Sequence, residues 1–464
     1  METKGAFTWR EGVLVFLAFI GVQLGSEVMN QWGTYFYSPS DGSGRTIYVS
    51  IGLVGIIFIA GTIWDAITDP LVGSWSDRTK MSRAKKMFLA VEGKRRPFIF
   101  WGSILSVVTS IAFWFPPVEG VSSLNLVYGT VLVCLHWTVF TVTVVPLQAL
   151  TLDIARTEAE RVKMGTWVAL GFIVGLAVAN ALTGVLIELL DTAEKGAVTS
   201  PVGYRRIAVI YALFSLAVFQ LLVWRMKEPR RPARQEQDTE PLLKGLGSAL
   251  KNRAFVVYFT GFLLFTAGFL GVQRILPYWA ELGLGGNEAT VTVLLGPFIV
   301  TALLSYTFIP ALARRLHVKW MIIVAFLIIC TGMPLMYWLG VVDLPSSTKI
   351  AVAAGLFAYC GIGRGFIYVM MTPAIGDIID HDEARTGRRR EALYNGLSGV
   401  AWKASMAFSI LIATQSMSIW GNSVTNFMGV LYVGPIAAGL ALVGVVVMLF
   451  YPGRAVKKAD DAPR

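Results

Sequence analysis

The chain has 464 residues, 55% of them hydrophobic and only 15% charged, with a mean hydropathy of +0.62. Soluble domains carry roughly a quarter charged residues, so the composition excludes an ordinary globular domain and points to a membrane protein. The formal net charge of +11 sits in short basic clusters between apolar stretches, which makes it a topological signal and argues against nucleic acid as a partner.

A helix needs about 20 residues to cross a bilayer. Stretches of that kind run roughly over 12–37, 46–74, 97–116, 121–150, 164–190 and 205–226, then over 253–281, 288–313, 319–341, 348–375, 392–415 and 424–451. The first carries Glu27 and lacks a small-residue cleavage site, so it reads as a spanning helix rather than a cleaved signal. Breakers mark several ends: Ser38-Pro39, Pro116-Pro117, Pro201 and Asp343-Leu344-Pro345. The one long polar stretch between spans includes Glu228-Pro229-Arg230-Arg231-Pro232. It divides the chain into a six-helix bundle over 1–226, a cytoplasmic linker over 227–252, and a second six-helix bundle over 253–464 with a short cytoplasmic tail. An internal echo follows the same division: Asp153-Ile154 with Arg161, and Asp377-Ile378 with Arg385. The fold expected is therefore all-α, twelve transmembrane helices in two pseudo-symmetric halves, the architecture of a secondary transporter.

Of the 40 Lys and Arg residues, 32 fall on the two termini and the loops of one side, and 5 on the other. That asymmetry predicts cytoplasmic termini. The remaining three, Arg274, Arg364 and Lys403, lie within spans.

Charges inside spans cost about 2.5–3.5 kcal/mol each on insertion scales and call for a reason. In helix 2, Asp65 and Asp69 are four residues apart and share a face, with Thr62 one turn earlier. Two carboxylates at that spacing offer hard oxygen ligands to a small cation, or hold a proton through like-charge repulsion. The competing reading has Asp69 near the cytoplasmic end, bonding basic loop residues. Lys403 in helix 11 either pairs with one of these carboxylates or snorkels to the interface. Gln23, Glu27 and Gln31 form a polar stripe on helix 1, with Asn30 beside it, and serve as the wall of a polar cavity or as a seam between helices. Arg364 and Arg274 pose the same choice. Trp64 and Trp402, next to the charged residues, can stack on a sugar ring or simply pack.

At the cytoplasmic face, Asp77 and Arg78 follow helix 2, while Asp377, Asp380 and Arg385 follow helix 10. Acidic and basic residues interleaved in this way suggest a latch that closes in one state and opens in another. Simple obedience to the charge rule explains the basic residues only. Cys134, Cys330 and Cys360 lie in apolar spans, and His136, His317 and His381 are far apart. Neither a disulfide framework, a metal centre nor an enzyme site is expected, and no nucleotide-binding loop marks a pump.

At Trp64-Asp65-Ala66-Ile67-Thr68-Asp69-Pro70 through Asp77-Arg78-Thr79 and Arg95-Arg96-Pro97, the sequence resembles the glycoside–pentoside–hexuronide:cation symporters of the major facilitator superfamily, the melibiose permease group. A second match runs from Asp377-Ile378-Ile379-Asp380 through Arg385, Arg388-Arg389-Arg390, Tyr394-Asn395-Gly396 and Lys403. The resemblance implies alternating access coupled to sodium, lithium or protons, a cation site at Asp65 and Asp69, and a coupling lysine at Lys403. It departs from the family where melibiose permease has an aspartate and a tryptophan flanking the helix 4 proline: here Val144 and Gln148 flank Pro146. The family's arginine early in helix 5 is absent, Met164 standing near that point, and its helix 1 carboxylate falls on Gln23, with Glu27 one turn on. Vertebrate lysophospholipid symporters share the helix 2 motif and the lysine.

The expected function is symport of a small organic solute, a glycoside or related sugar, driven by Na+ or H+, with a lysophospholipid as the alternative cargo. Substrate is expected at Gln23, Glu27, Gln31, Gln148, Arg364 and Trp402, with no cofactor. The protein is expected to act as a monomer in a bacterial inner membrane.

Overall fold

The computed structural model describes residues 8–79, 91–155, 157–192, 200–226, 228, 247–313 and 315–452. Among them are twelve helices long and apolar enough to cross a membrane. We number them α1 (Trp9–Tyr37), α2 (Ile51–Arg78), α3 (Arg96–Phe113), α4 (Ser123–Ile154), α5 (Ala159–Leu190) and α6 (Pro201–Arg225). The series continues with α7 (Arg253–Gly283), α8 (Glu288–Ile309), α9 (Val318–Val341), α10 (Ser346–Thr386), α11 (Leu393–Trp420) and α12 (Met428–Leu449). The protein is thus an all-α, multi-pass integral membrane protein.

Several helices outrun the apolar stretches that predict them, and three do so into charged sequence at their C-terminal ends. α2 continues to Arg78, α4 to Ile154 and α10 to Thr386. Hydropathy marks where lipid ends, whereas a helix ends where its backbone finds a stop. In α10 that stop is Gly387, whose φ of 67° is a left-handed C-cap that side chains with a Cβ adopt at a cost. Asp77, Arg78, Asp377, Asp380 and Arg385 therefore stand on helical turns rather than in loops, a correction to their expected placement. Other helices are locally irregular. α5 contains a π-helical turn at Val178–Leu182, α7 ends in another at Trp279–Gly283 just after Pro277, and α9 is interrupted at Met333-Pro334.

The chain divides into two compact units, Met1–Arg234 and Gln235–Arg464. Most of the expected linker, 227–252, lies outside the described residues. Within the first unit the main packing partners are α2 with α4, α1 with α5 and α6, α3 with α4 and α6, and α5 with α6. Within the second they are α8 with α10, α7 with α11 and α12, α9 with α10 and α12, and α11 with α12. Adding six to each helix number in the first set generates the second. The two units thus repeat one pattern of packing, as inverted or parallel repeats do in transporters.

Close helix contacts rest on small residues, as expected where lipid offers no hydrophobic drive between helices. A Cβ on Gly171 of α5 would sit 2.3 Å from the Phe16 carbonyl oxygen of α1, so α1 and α5 approach backbone to backbone there. On the outside, residues such as Leu53, Ile56, Leu105, Val300, Leu304 and Leu442 are exposed apolar side chains suited to lipid.

Candidate functional site

In the first unit, α2 supplies both acidic residues and α4 the group that joins them. Asp65 and Asp69 are half-buried, one turn apart on α2. Thr141 of α4 is 3% exposed, and its hydroxyl lies 3.1 Å from Asp65 Oδ1 and 3.0 Å from Asp69 Oδ1, positioned to donate to either. A hydroxyl carries one proton, so it satisfies one carboxylate at a time and presents a lone pair to the other. Two carboxylates and a hydroxyl within hydrogen-bond reach offer hard oxygens to a small cation, or a place to hold a proton. Thr62 is also buried, but its hydroxyl donates to the Phe58 carbonyl at 2.8 Å, leaving oxygen lone pairs as its contribution one turn from Asp65. Hard oxygen donors of this kind suit an alkali cation or a proton rather than a transition metal. Trp64 donates its indole N–H to Thr138 Oγ1 at 2.8 Å, which ties α2 to α4 a turn before Thr141. Of the basic residues in the loop after α2, on which the competing reading of Asp69 rests, Lys80, Arg83, Lys85 and Lys86 lie outside the described residues, while Arg95 pairs with Asp77.

On α1, Gln23 and Gln31 are buried and Glu27 is half-buried. Gln23 belongs to a helix seam, since a Cβ on Gly175 of α5 would meet the Gln23 Cβ at 2.7 Å. Gln148 stands seven residues after Thr141, on the same stripe of α4, and is exposed; Val144 between them is buried.

In the second unit, Lys403 is half-buried on α11 beside Trp402. Arg364 of α10 is 4% exposed and enclosed by rings. Its guanidinium carbon lies 4.7 Å from the centre of the Phe269 ring, 4.2 Å from Tyr368 and 5.9 Å from Trp402, and Nη2 donates to the Tyr368 hydroxyl at 3.0 Å. The structure therefore joins Arg364 and Trp402, two of the residues expected to hold substrate, through cation–π contact. Arg274 is buried as well, with Nε 3.3 Å from Ser409 Oγ on α11.

Four of the five expected latch residues have partners within their own units. Asp77 pairs with Arg95 at 2.6 Å, and Arg95, 8% exposed, also reaches Asp153 at 3.6 Å and Ser76 Oγ at 2.9 Å. Arg78 is exposed. Asp377 accepts the Tyr451 hydroxyl at 2.7 Å, and Asp380 pairs with Arg389 at 2.9 Å. Arg385 pairs with Asp382, a fully buried carboxylate that also takes two bonds from Arg390, at 2.7 and 2.8 Å. Of the two echoed aspartates, Asp153 meets an arginine and Asp377 a tyrosine. Asn252 was not singled out by sequence, yet it caps α7 by accepting from the Ala254 and Phe255 amides and donates to the Ile378 carbonyl and the Tyr394 hydroxyl. Thr141 was also missed. Its only signal was a cluster of hydroxyl residues, Thr138, Thr141 and Thr143, in the middle of the helix.

Residues 17–453 match the family described as MFS/sugar transport protein. The chain is 25% identical over 447 residues to sodium-dependent lysophosphatidylcholine symporter 1 of Gallus gallus, covering 88% of this chain and 80% of that one. It is 20% identical to the isoprimeverose transporter of Lactiplantibacillus pentosus, covering 90% and 82%. It is 24% identical to the putative glycoside/cation symporter YagG of Escherichia coli strain K12, covering 77% and 72%. Among solved structures, the nucleoside transporter NupG is similar in fold, with a TM-score of 0.67 over 96% of this chain and all of that one, at 11% identity.

Proposed function

The chain belongs to the MFS/sugar transport protein family and is a secondary transporter of a small organic solute, and we propose that it works as a symporter driven by Na+ or H+, of the glycoside–pentoside–hexuronide group. The observation that carries this reading is the Asp65–Thr141–Asp69 cluster, two carboxylates sharing one hydroxyl proton between α2 and α4. The coupling cation binds there, with Thr62 as a neighbouring oxygen. Lys403 responds to the charge state of the pair. One cation crossing 100 mV supplies about 2.3 kcal/mol, roughly a 50-fold accumulation of solute, so one coupled ion is sufficient.

The cargo is a glycoside or related sugar. Relatives whose names include a glycoside and isoprimeverose support this. A lysophospholipid is the second reading. It is favoured by the buried, apolar Val144 in place of the family's helix 4 aspartate and by the relative named for lysophosphatidylcholine. In either case the protein moves its solute unchanged and acts as a monomer in the inner membrane, with both termini cytoplasmic.

The test is Asp65→Asn in sealed vesicles with an imposed sodium or proton gradient. Gradient-driven uptake is expected to disappear while the folded protein persists in the membrane. Uptake that still follows the cation gradient in this variant would refute the assignment.

A further inference from the structure

We propose that Arg364 seats an anionic group of the transported solute, so that the cargo is an organic acid, bearing a carboxylate or a phosphate, rather than a neutral glycoside. The inference deepens the transport reading and rests on it. An arginine within a spanning helix is functional by default unless a partner neutralises it. Arg364 is 4% exposed, and among the described residues no carboxylate pairs with it. Its one hydrogen bond goes to the neutral Tyr368 hydroxyl. The rings of Phe269, Tyr368 and Trp402 stabilise the charge through their π faces but accept none of its other N–H groups strongly. A guanidinium has five N–H donors in a planar fork matched to the two oxygens of a carboxylate or phosphate. The cage thus holds the charge while leaving most of the fork unused.

The position is held firmly. Arg364 lies in Gly361-Ile362-Gly363-Arg364-Gly365, where α10 meets its neighbours at close range. A Cβ on Gly361 would sit 2.3 Å from the Phe298 carbonyl oxygen of α8, and one on Gly363 3.1 Å from the Ala325 carbonyl oxygen of α9. A narrow crevice, partly open to its surroundings, runs along α7, α10 and α11, the helices that form the cage, and is lined by Phe255, Tyr258, Phe262, Met371, Ile375 and Ala401. Met371 follows Arg364 by seven residues and Phe262 precedes Phe269 by seven, so crevice and cage occupy continuous stripes of α10 and α7. An anion at the arginine would have apolar and aromatic surface beside it for the rest of the molecule.

The experiment is thermal melting of the purified full chain in sodium, against pairs of probes that differ in charge. Galacturonic acid against methyl galactoside tests a carboxylate on a sugar; lysophosphatidylglycerol against monoacylglycerol tests a phosphate on a lipid. In at least one pair the acid is expected to bind 10- to 100-fold more tightly than its neutral counterpart, the span of one lost charge-assisted bond. Arg364→Gln should bring the acid to the level of the neutral probe, and Arg364→Lys, which keeps charge without the fork, should fall between. The pair that responds identifies the source of the anion. Equal binding of acid and neutral probe by the wild-type chain, a preference that survives Arg364→Gln, or no response to either acid would overturn the proposal. The wild-type comparisons need no variant to fold. Sodium-dependent melting through Asp65 and Asp69 is read in the same runs without a solute. Its loss alongside a retained preference for acid would sink cation coupling and leave this inference standing.

Discussion

Replacing Thr141 with valine removes one hydroxyl and keeps the shape of the side chain. Its oxygen lies 3.1 Å from Asp65 Oδ1 and 3.0 Å from Asp69 Oδ1, and the side chain is 3% exposed, so bulk water has little access to replace it. A hydrogen bond to a charged group is worth about 1.5–3 kcal/mol. If the same oxygen turns its lone pair to a bound cation, a loss of similar size appears in cation affinity, about 10- to 100-fold. The assay is sodium titration of the melting temperature, or of tryptophan emission, since the Trp64 indole is anchored to Thr138 one turn away. Thr141→Ser should restore most of the affinity. The opposite sign is also physically coherent: were Thr141 only a proton donor competing with the cation, its removal would tighten sodium binding. Unchanged or tighter binding in Thr141→Val would therefore refute the place of this oxygen in the site.

Two further pairs of substitutions test the frame around the site. Asp382→Asn should destabilise the second unit by about 3 kcal/mol, because this fully buried carboxylate takes charge-assisted bonds from both Arg385 and Arg390; Asp380→Asn, opposite the half-exposed Arg389, should cost much less. Melting of the two purified variants separates them, and equal losses would show that burial does not set the strength of these pairs. On α10, Gly365→Ala would place a Cβ 2.8 Å from the Ala302 carbonyl oxygen and still closer to Ser305, an overpacking expected to cost about 1–3 kcal/mol. Gly355→Ala meets nothing within 4 Å and should stabilise the same helix by about 0.5–1 kcal/mol. Opposite shifts in melting temperature are the expected result.

The helices were legible because lipid demands an unbroken apolar run, and the sequence has twelve. Their polar ends were not. Nothing in hydropathy says that Asp377, Asp380 and Arg385 continue α10, since a helix that has left the bilayer is free to carry charge until Gly387 ends it. Asp65 and Asp69 stood out as charges in an apolar span, and their spacing placed them on one face. Thr141 did not, because a threonine is common in spanning helices and only the approach of α4 to α2 makes it the third oxygen. Arg364 was visible as an oddity, but its enclosure by Phe269 and Trp402 joins residues far apart in the chain and depends on the packing of α7, α10 and α11. The latch residues were read as a group, whereas their partners were fixed by local geometry, with Arg95 serving Asp77 and Asp153 together.

Pro373 lies within α10, between the caged arginine and the charged end of the helix. With no N–H to give the carbonyl four residues back, it weakens the rod at that point and makes it a joint. The arm beyond it, from Pro373 to Thr386, is about 20 Å long, so a bend of about 10° sweeps its tip by about 3.5 Å. That arm is not loose. Asn252 grips the Ile378 carbonyl, Arg385 reaches the Ser248 carbonyl, and Arg390 bonds Ser248 Oγ. The beginnings of α7 and α11 and the tip of α10 are thus strapped into one knuckle. Mechanically, the second unit behaves as three shafts leaving a common bearing, and flexing at Pro373 displaces the shafts together unless one of these straps is released.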